Sequence, residues 1–391
     1  MNRVSSIFSQ ILQFIPRLGF EARVREHKAE RHARGFSSWT QLIAMLFCQL
    51  GHAQSLREIT GGLAACEGKL RHLGVNEPPA RSTLAYANAH RPWELYPSLF
   101  YDLLERCRGE AATQKRKFRF KHKLLSIDST TIALSLSMFD WALYKRSKGA
   151  VKLHLVLDRD GYLPCYAVIS DGKRADITAA KTMPFPPGAI LVFDRGYPDY
   201  GWWLSLTRQE VFFATRLKDN AEYGIVEQRP VPIGSNILRD EVILLTSQQE
   251  AGPEARLRRI EVWVEEKQES MVFVTNHLKL AASTIAAVYK ERWQIESFFK
   301  ALKQSLKVKT FAGTSENAVE TQIWTAPIAM LLVKYLQLRS TFGWSLSNLA
   351  ALLRQQLFVY RDLMSWLNDP FQAPPALAGV HDGQLALEFS R

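Results

Sequence analysis

Nothing in this sequence has the spacing of a metal-thiolate site. The four cysteines, Cys48, Cys66, Cys107 and Cys165, are scattered, with no C-x-x-C pair and no Cys/His cluster. That leaves out a zinc site and a disulfide framework, and makes buried thiols in a reducing compartment the expectation. A long uninterrupted apolar run is also missing. The best candidate, "IWTAPIAMLLVKYL" at 323–336, contains Pro327 and Lys334 and is too short to cross a bilayer, so no membrane span is expected. The N-terminal "MNRVSSIFSQILQFIPRLGF" is amphipathic but lacks the continuous apolar region and small-residue cleavage site of a secretory signal. Internal repeats and low-complexity segments are absent as well. Acids are in short supply: 38 Asp and Glu face 50 Lys and Arg, a formal charge of +12. Such a surplus suits a polyanionic partner, nucleic acid foremost. These absences together lead us to expect a soluble intracellular protein.

What is present is ample core material. A chain of 391 residues with 47% hydrophobic and 11% aromatic content can build more than one domain. Residues 1 to about 110 carry apolar residues at helical period and no strand-like alternation. Ser55, with Glu58 three positions on, opens a capped helix at "SLREITGGL". After the turn-rich "GVNEPPARS", the segment "RSTLAYANAHR" offers a second helix bearing Arg81, Ser82, Thr83, Asn88, His90 and Arg91. That pair is either a helix-turn-helix reader of DNA or part of an ordinary helical bundle. The basic run "KRKFRFKHK" at 115–123 either tracks phosphates or guards an edge strand against aggregation.

Beyond it the pattern changes. "LLSIDSTTIALS", "AVKLHLVLD" and "LPCYAVIS" read as strands, with a turn at "DRDGYL" between the second and third. A short helix at "DITAAKTM", a buried strand at "AILVFDRGY", a helix at "YGWWLSLTRQ" and a strand at "VFFATRL" follow. This order describes an α/β layer with a mixed sheet. Several more strands are expected from about 220 to 277, then one long helix at about 281–308. Helices at about 316–341, 346–358 and 361–368 close the chain.

Two acids stand out. Asp128 follows the apolar "LLSI" and Asp194 follows "AILVF", each read as the C-terminal end of a buried strand. A charge there is costly unless paired or metal-bound, although a single strand-end Asp is also a common turn former. Gly196, in "DRGY", allows a sharp turn directly after the acid. The long helix contains "YKERWQIESFFKALK", in which Tyr289, Arg292, Glu296 and Lys303 stand at offsets 0, 3, 7 and 14. On one continuous helix these fall within an arc of about 60°. A solvated row with an i,i+4 charge pair is the plain reading. The apolar stripe of Val288, Ile295, Phe299, Leu302 and Leu306 beside it instead sets the row at the rim of a buried face, where Glu296 can join the two aspartates. Three convergent carboxylates form a hard oxygen site suited to Mg²⁺ or Mn²⁺.

These motifs resemble the DDE transposases of the IS4 group of bacterial insertion sequences. "IDST", "FDRGY" and the gapless Y-x2-R-x3-E-x6-K row carry the resemblance, which runs over roughly 120–340; "EHKAERHARGFSSWTQLIAMLFCQL" resembles the N-terminal region of the same enzymes. The resemblance implies an RNase H-like core with a β insertion before the last catalytic helix, an all-α N-terminal domain and a helical C-terminal region. The implied divisions are 1–112 for DNA binding, 113–219 and 278–343 for the core, 220–277 for the insertion and 344–391 for the C-terminal helices. It also implies that Asp128, Asp194 and Glu296 hold two Mg²⁺ ions, with Mn²⁺ able to substitute. Tyr289, Arg292 and Lys303 would contact phosphates near the transposon end. Trp293, or Trp263 in the insertion, would meet an extruded base, with core packing as the alternative. Lys152 and His154 in "VKLHLVLD" are placed toward the same sheet edge, His154 as a hydrogen-bonded structural residue.

The implied activity is cut-and-paste transposition on double-stranded DNA. Inverted terminal repeats are bound, a 3′ hydroxyl is freed, the opposite strand is broken through a hairpin, and the ends join target DNA. Synapsis implies a homodimer on DNA, in the cytoplasm of a bacterium. Two rivals remain at this level: a catalytically silent DNA-binding protein derived from a transposase, and a metal nuclease that cuts without joining.

Overall fold

The computed structural model describes residues 5–31, 33, 35–66, 68–112, 122–133, 150–171, 173–305 and 313–371. Most of the basic run at 115–123, together with Leu306, lies outside them.

The N-terminal third is helical. It comprises α1 (Ile7–Leu12), α2 (Arg17–Glu26), α3 (Ser38–Gly51), α4 (Leu56–Ala64), α5 (Arg81–His90) and α6 (Leu95–Ala111). Ser55 caps α4 by accepting from the Glu58 amide at 3.2 Å, and Glu58 Oε2 in turn accepts from the Gln54 amide at 2.9 Å. The Ser/Glu spacing at 55 and 58 therefore works as read. On α5, Arg81, Ser82, Thr83 and His90 face outward, whereas Asn88 is buried and accepts from Gln41 Nε2 at 2.9 Å. Arg91 is likewise used internally, donating to the Phe36 carbonyl and, at 3.2 Å, to Gln41 Oε1.

The central sheet has nine strands: β1 (Leu124–Ala133), β2 (Ala150–Asp158), β3 (Leu163–Asp171), β4 (Ile190–Val192), β5 (Phe212–Arg216), β6 (Tyr223–Gln228), β7 (Ile237–Leu245), β8 (Arg256–Val264) and β9 (Glu269–Thr275). Their order is β3-β2-β1-β4-β5-β9-β8-β7-β6. Within the first five, β2 alone runs against the others, since β1–β2 and β2–β3 are antiparallel while β1–β4 and β4–β5 are parallel. That order and direction define an RNase H-like core. The remaining four strands are the insertion, and β9 joins it to β5 in one continuous sheet. Two ion pairs buried in the insertion, Arg258–Asp240 at 2.5 Å and Arg259–Glu241 at 2.9 Å, cross-link β7 and β8.

Alternation along the strands sorts side chains to two faces. Leu191 and Phe193 pack with Leu125, Ile127, Trp202, Trp203 and Leu206, under α7 (Asp176–Ala180) and α8 (Tyr200–Arg208). Ile190 and Val192 point the other way, with Leu124, Phe273, Ile285, Val288 and Tyr289, toward α9 (Ala282–Lys290). On that second face α10 (Trp293–Ser305) lies against β1. The longest helix, α11 (Glu316–Arg339), runs through Pro327 without a break and packs against α3, α5 and α6; α12 (Leu346–Gln356) and α13 (Leu363–Asn368) follow. One core joins the N-terminal helices, α10, α11 and the β2 and β3 side of the sheet. Among the described residues no helix is long and apolar enough to cross a membrane.

Two expectations need correction here. The helix read as unbroken over 281–308 is two helices, α9 and α10, with a turn at Glu291 and Arg292. The amides of Glu291, Arg292, Gln294 and Ile295 each bond three residues back, at 3.0–3.3 Å. The cause is tertiary. Glu291 is buried, accepts from the Tyr162 hydroxyl at 2.9 Å and pairs with Arg159 at 3.4 Å. Gly161 and Tyr162, both at positive φ in the β2–β3 turn, bring that hydroxyl there. The second correction concerns Asp128, which is not at the end of its strand but within β1, opposite Leu155 of β2.

Candidate active site

The two aspartates meet through strand register. β1 and β4 are parallel neighbours, and their pairing ends with Ser126 opposite Val192. Two residues further along each chain lie Asp128 and Asp194, which that register sets level on adjacent strands, roughly 5 Å apart by strand spacing. Strand parity puts Asp128 on the face of Leu124, and Asp194 in line with Ile190 and Val192, the side covered by α9 and α10. The site is thus at the carboxyl end of β4, where β1 continues paired with β2 only, the usual place for function in a parallel layer.

Asp194 owes its pose to the turn after it. Its Oδ1 accepts from the Gly196 amide at 2.8 Å, and a Cβ on Gly196 would stand 2.8 Å from that oxygen. The glycine is needed to make room for the carboxylate. Its φ is not among the positive values, so this reason differs from the sharp turn expected of it. Asp128 Oδ1 accepts from the Ser129 amide at 2.7 Å. Burial pushes the Asp128 carboxyl up to about 6; the Ser129 amide opposes this, Asp194 raises it further, Arg292 lowers it and Glu296 raises it again. The charges of Asp194, Arg292 and Glu296 all therefore act on Asp128.

Glu296 sits in the first turn of α10, half-buried. Arg292, in the turn before it, donates to Glu296 Oε1 at 2.5 Å. The Arg292 guanidinium lies 5.8 Å from the Tyr289 ring and 5.9 Å from the Trp293 ring. Tyr289, at the end of α9, is buried with its ring 4.8 Å from Phe273. The row expected on one helix face is thus distributed over two helices and a turn. Val288, Ile295, Phe299 and Leu302 are buried as expected. Trp293 is 57% exposed, and Lys303 is partly exposed, two turns beyond Glu296. Trp263 is half-buried on β8 and donates to Glu265 Oε2 at 2.8 Å.

The donor set suits a hard divalent cation: three carboxylates, one of them with its proton affinity raised by burial and by two acidic neighbours. It is not a closed cage. Among the described residues no group of three His, Cys, Asp or Glu side chains stands close enough to hold a metal ion, and Glu296 is engaged by Arg292.

Lys152 and His154 are not beside the acids on that face. Their parity is that of Val156, which faces α7, and they bond Asp176 and Ser170 there. Lys152 Nζ lies 3.1 Å from Asp176 Oδ1, and His154 Nε2 lies 2.8 Å from Ser170 Oγ. His154 is thus a hydrogen-bonded structural residue, as read. Sequence reasoning passed over Ser129, Asp176, Tyr197 and Glu291. Ser129 and Tyr197 stand inside the quoted motifs "IDST" and "FDRGY", a signal that was available; Asp176 and Glu291 become visible only through their tertiary partners.

With this geometry in place, the comparisons are specific. Residues 119–332 match the family described as the transposase DDE domain, and residues 3–76 match a domain family of unknown function. A protein of Sinorhizobium fredii named as a transposase, y4zB, is 31% identical over 78% of this chain and 83% of its own length. One from Geobacillus stearothermophilus, named as a transposase for insertion sequence element IS5377, is 29% identical over 65% of this chain and 67% of its own. A third, from Synechocystis and named for element IS4SA, is 24% identical over 74% of this chain and 81% of its own. The chemistry of the DDE domain acts on DNA and depends on divalent metal ions. A match over more than half the chain, joined to a sheet that brings Asp128 and Asp194 level beneath the helix of Glu296, gives the conclusion: this chain belongs to the DDE transposases of insertion sequence elements.

Proposed function

We propose that the chain is a cut-and-paste transposase of the IS4 group and that Asp128, Asp194 and Glu296 are its catalytic carboxylates. The observation that carries this reading is the register of β1 and β4, which sets the two aspartates level on one face while α10 lies over β1 with Glu296 in its first turn. The three carboxylates would hold two Mg²⁺ ions, or Mn²⁺ in their place. When bound, such ions activate an attacking oxygen and stabilise a leaving 3′ oxygen.

The remaining roles fall to the chain's own cations and rings. Arg292, now on Glu296, presents a planar fork suited to bidentate phosphate contact, and Lys303 adds a point charge along the same helix. The Tyr289 ring backs Arg292 and limits where its guanidinium can go. Exposed Trp293 offers a stacking surface for a base extruded during hairpin formation. Residues 1–112 would bind the inverted terminal repeats, with the outward face of α5 as the reader, and 344–391 would form a C-terminal helical region. The core would comprise 113–219 and 278–343 around the insertion at 220–277. Two ends and two target strands call for a homodimer on DNA.

The test is a cleavage assay on DNA carrying the ends that flank the gene, with and without Mg²⁺, comparing the intact chain with Asp194→Asn. Metal-dependent nicking at the end by the intact chain alone supports the carboxylate assignment. Binding without cleavage by the intact chain replaces it with the silent DNA-binding reading, and cleavage without transfer to a second duplex replaces it with the nuclease reading.

A further inference from the structure

The face of the sheet opposite the carboxylates carries a second polar cluster, at the level of Asp128. Ser129 Oγ donates to Asp176 Oδ1 at 2.7 Å. Lys152 Nζ donates to the same oxygen at 3.1 Å and to the Arg174 carbonyl at 3.1 Å. His154 Nδ1 stands 3.7 Å from that oxygen, and its Nε2 is 2.8 Å from Ser170 Oγ. The members come from β1, β2, β3 and the start of α7. They converge where β1 has lost a neighbour: its pairing with β4 stops at Ser126, and from Asp128 onward β2 alone holds it. A one-sided strand end is the least constrained part of a ladder, yet Asp128 must be held to within a fraction of an ångström to serve chemistry.

We propose that Asp176, pinned by Lys152, is a positioning residue for the reaction: it anchors the Ser129 side chain behind the sheet, so that the Ser129 amide holds Asp128 Oδ1 in front. Ser129 is the hinge of this brace, since its amide and its hydroxyl serve opposite faces at 2.7 Å each. Lys152 holds Asp176 stationary, and supplies the positive charge that a fourth acid beside this site requires. Nothing in the proposal needs Asp176 to touch DNA or metal. It rests on the assignment of Asp128 made above.

The experiment compares Ser129→Ala, Asp176→Asn, their double variant and Ser129→Thr, with Asp128→Asn as reference. The readouts are end binding, nicking rate, and the half-saturating Mn²⁺ concentration followed by electron paramagnetic resonance. Ser129→Ala and Asp176→Asn are each expected to lower nicking and raise the half-saturating Mn²⁺ by about 10- to 100-fold, the range typical of outer-shell partners, with end binding unchanged. Because they form one relay, the double variant is no worse than the poorer single variant. Ser129→Thr, which keeps the hydroxyl on a strand that favours β-branching, restores both quantities to within about twofold. Wild-type behaviour of Ser129→Ala, multiplying effects in the double variant, or failure of Ser129→Thr to rescue each overturns the brace. If Asp128→Asn itself nicks and binds Mn²⁺ normally, the carboxylate assignment is what fails.

Discussion

Replacing Lys334 with Met should make this protein more stable at neutral pH and less dependent on alkali. Lys334 lies in α11 and is 7% exposed. Its ammonium donates to Gln337 Oε1 at 2.7 Å and sits 5.6 Å above the Tyr162 ring, with no carboxylate paired to it among the described residues. Burial lowers its pKa from 10.5 to about 8. The folded value is the depressed one, so between about 8 and 10.5 the unfolded chain binds more protons and wild-type stability rises with pH. Below 8 both states carry the charge and the full penalty stands. At 1.36 kcal/mol per unit the shift sets a ceiling of about 3 kcal/mol, and losing the Gln337 bond reduces the net gain to about 2 kcal/mol at pH 7. The same relation leaves less than about half of the penalty at pH 9.5. Burial pushes both the Cys107 thiol and the Tyr162 hydroxyl up to about 12, so each adds its own pH dependence above its unfolded value, but that contribution is common to wild type and Lys334→Met and cancels from the gap between them. Urea unfolding followed by tryptophan fluorescence is a suitable assay, since Trp324 and Trp344 share this core. The gap between Lys334→Met and wild type should shrink by half or more from pH 7 to 9.5. A gap that is absent at pH 7, or that keeps its size at pH 9.5, refutes the argument.

Three other perturbations separate the roles of the site residues. Glu296→Gln should retain end binding in a gel-shift assay yet lose more than about 100-fold in Mg²⁺-dependent nicking, beyond what an outer-shell partner costs; undiminished nicking removes Glu296 from the carboxylate set. Lys303→Ala should weaken end binding and reduce the slope of log K against log salt by about 0.9, one phosphate's share, whereas an unchanged slope makes Lys303 a surface charge. Gly196→Ala places a methyl 2.8 Å from Asp194 Oδ1; nicking should fall while end binding stays intact, and a fully active variant would mean that the Asp194 carboxylate moves aside at no cost.

The aspartates were legible because local pattern and tertiary fact coincide. Each acid follows a buried apolar run, and each falls just beyond the last paired residue of the β1–β4 ladder. The break at Glu291 was not legible, since apolar periodicity continues straight through it and its cause lies 129 residues away, at Tyr162. β6 falls within the strand-rich stretch expected from about 220, but residues 224–228 are all exposed and show no alternation that would mark it as a separate segment. Lys152 and His154 stand at the level of the acids, as expected, but on the opposite face, which a strand's own alternation does not settle. The cross-strand pairing of Ser129 with His154 does, and a single segment read alone cannot supply it.

The route of the chain into and out of the insertion has a consequence for how such enzymes can differ. The chain leaves the core at the end of β5 and returns along β9, hydrogen-bonded beside it, with Arg216 opposite Phe273. Departure and return are therefore one strand spacing apart, a gap that an ordinary hairpin turn can close. Everything between can lengthen, shrink or be exchanged as a cassette, while β9 still delivers the chain to α9 and Glu296 at the same height on the sheet. The core keeps its chemistry constant, and the cassette is free to carry what varies.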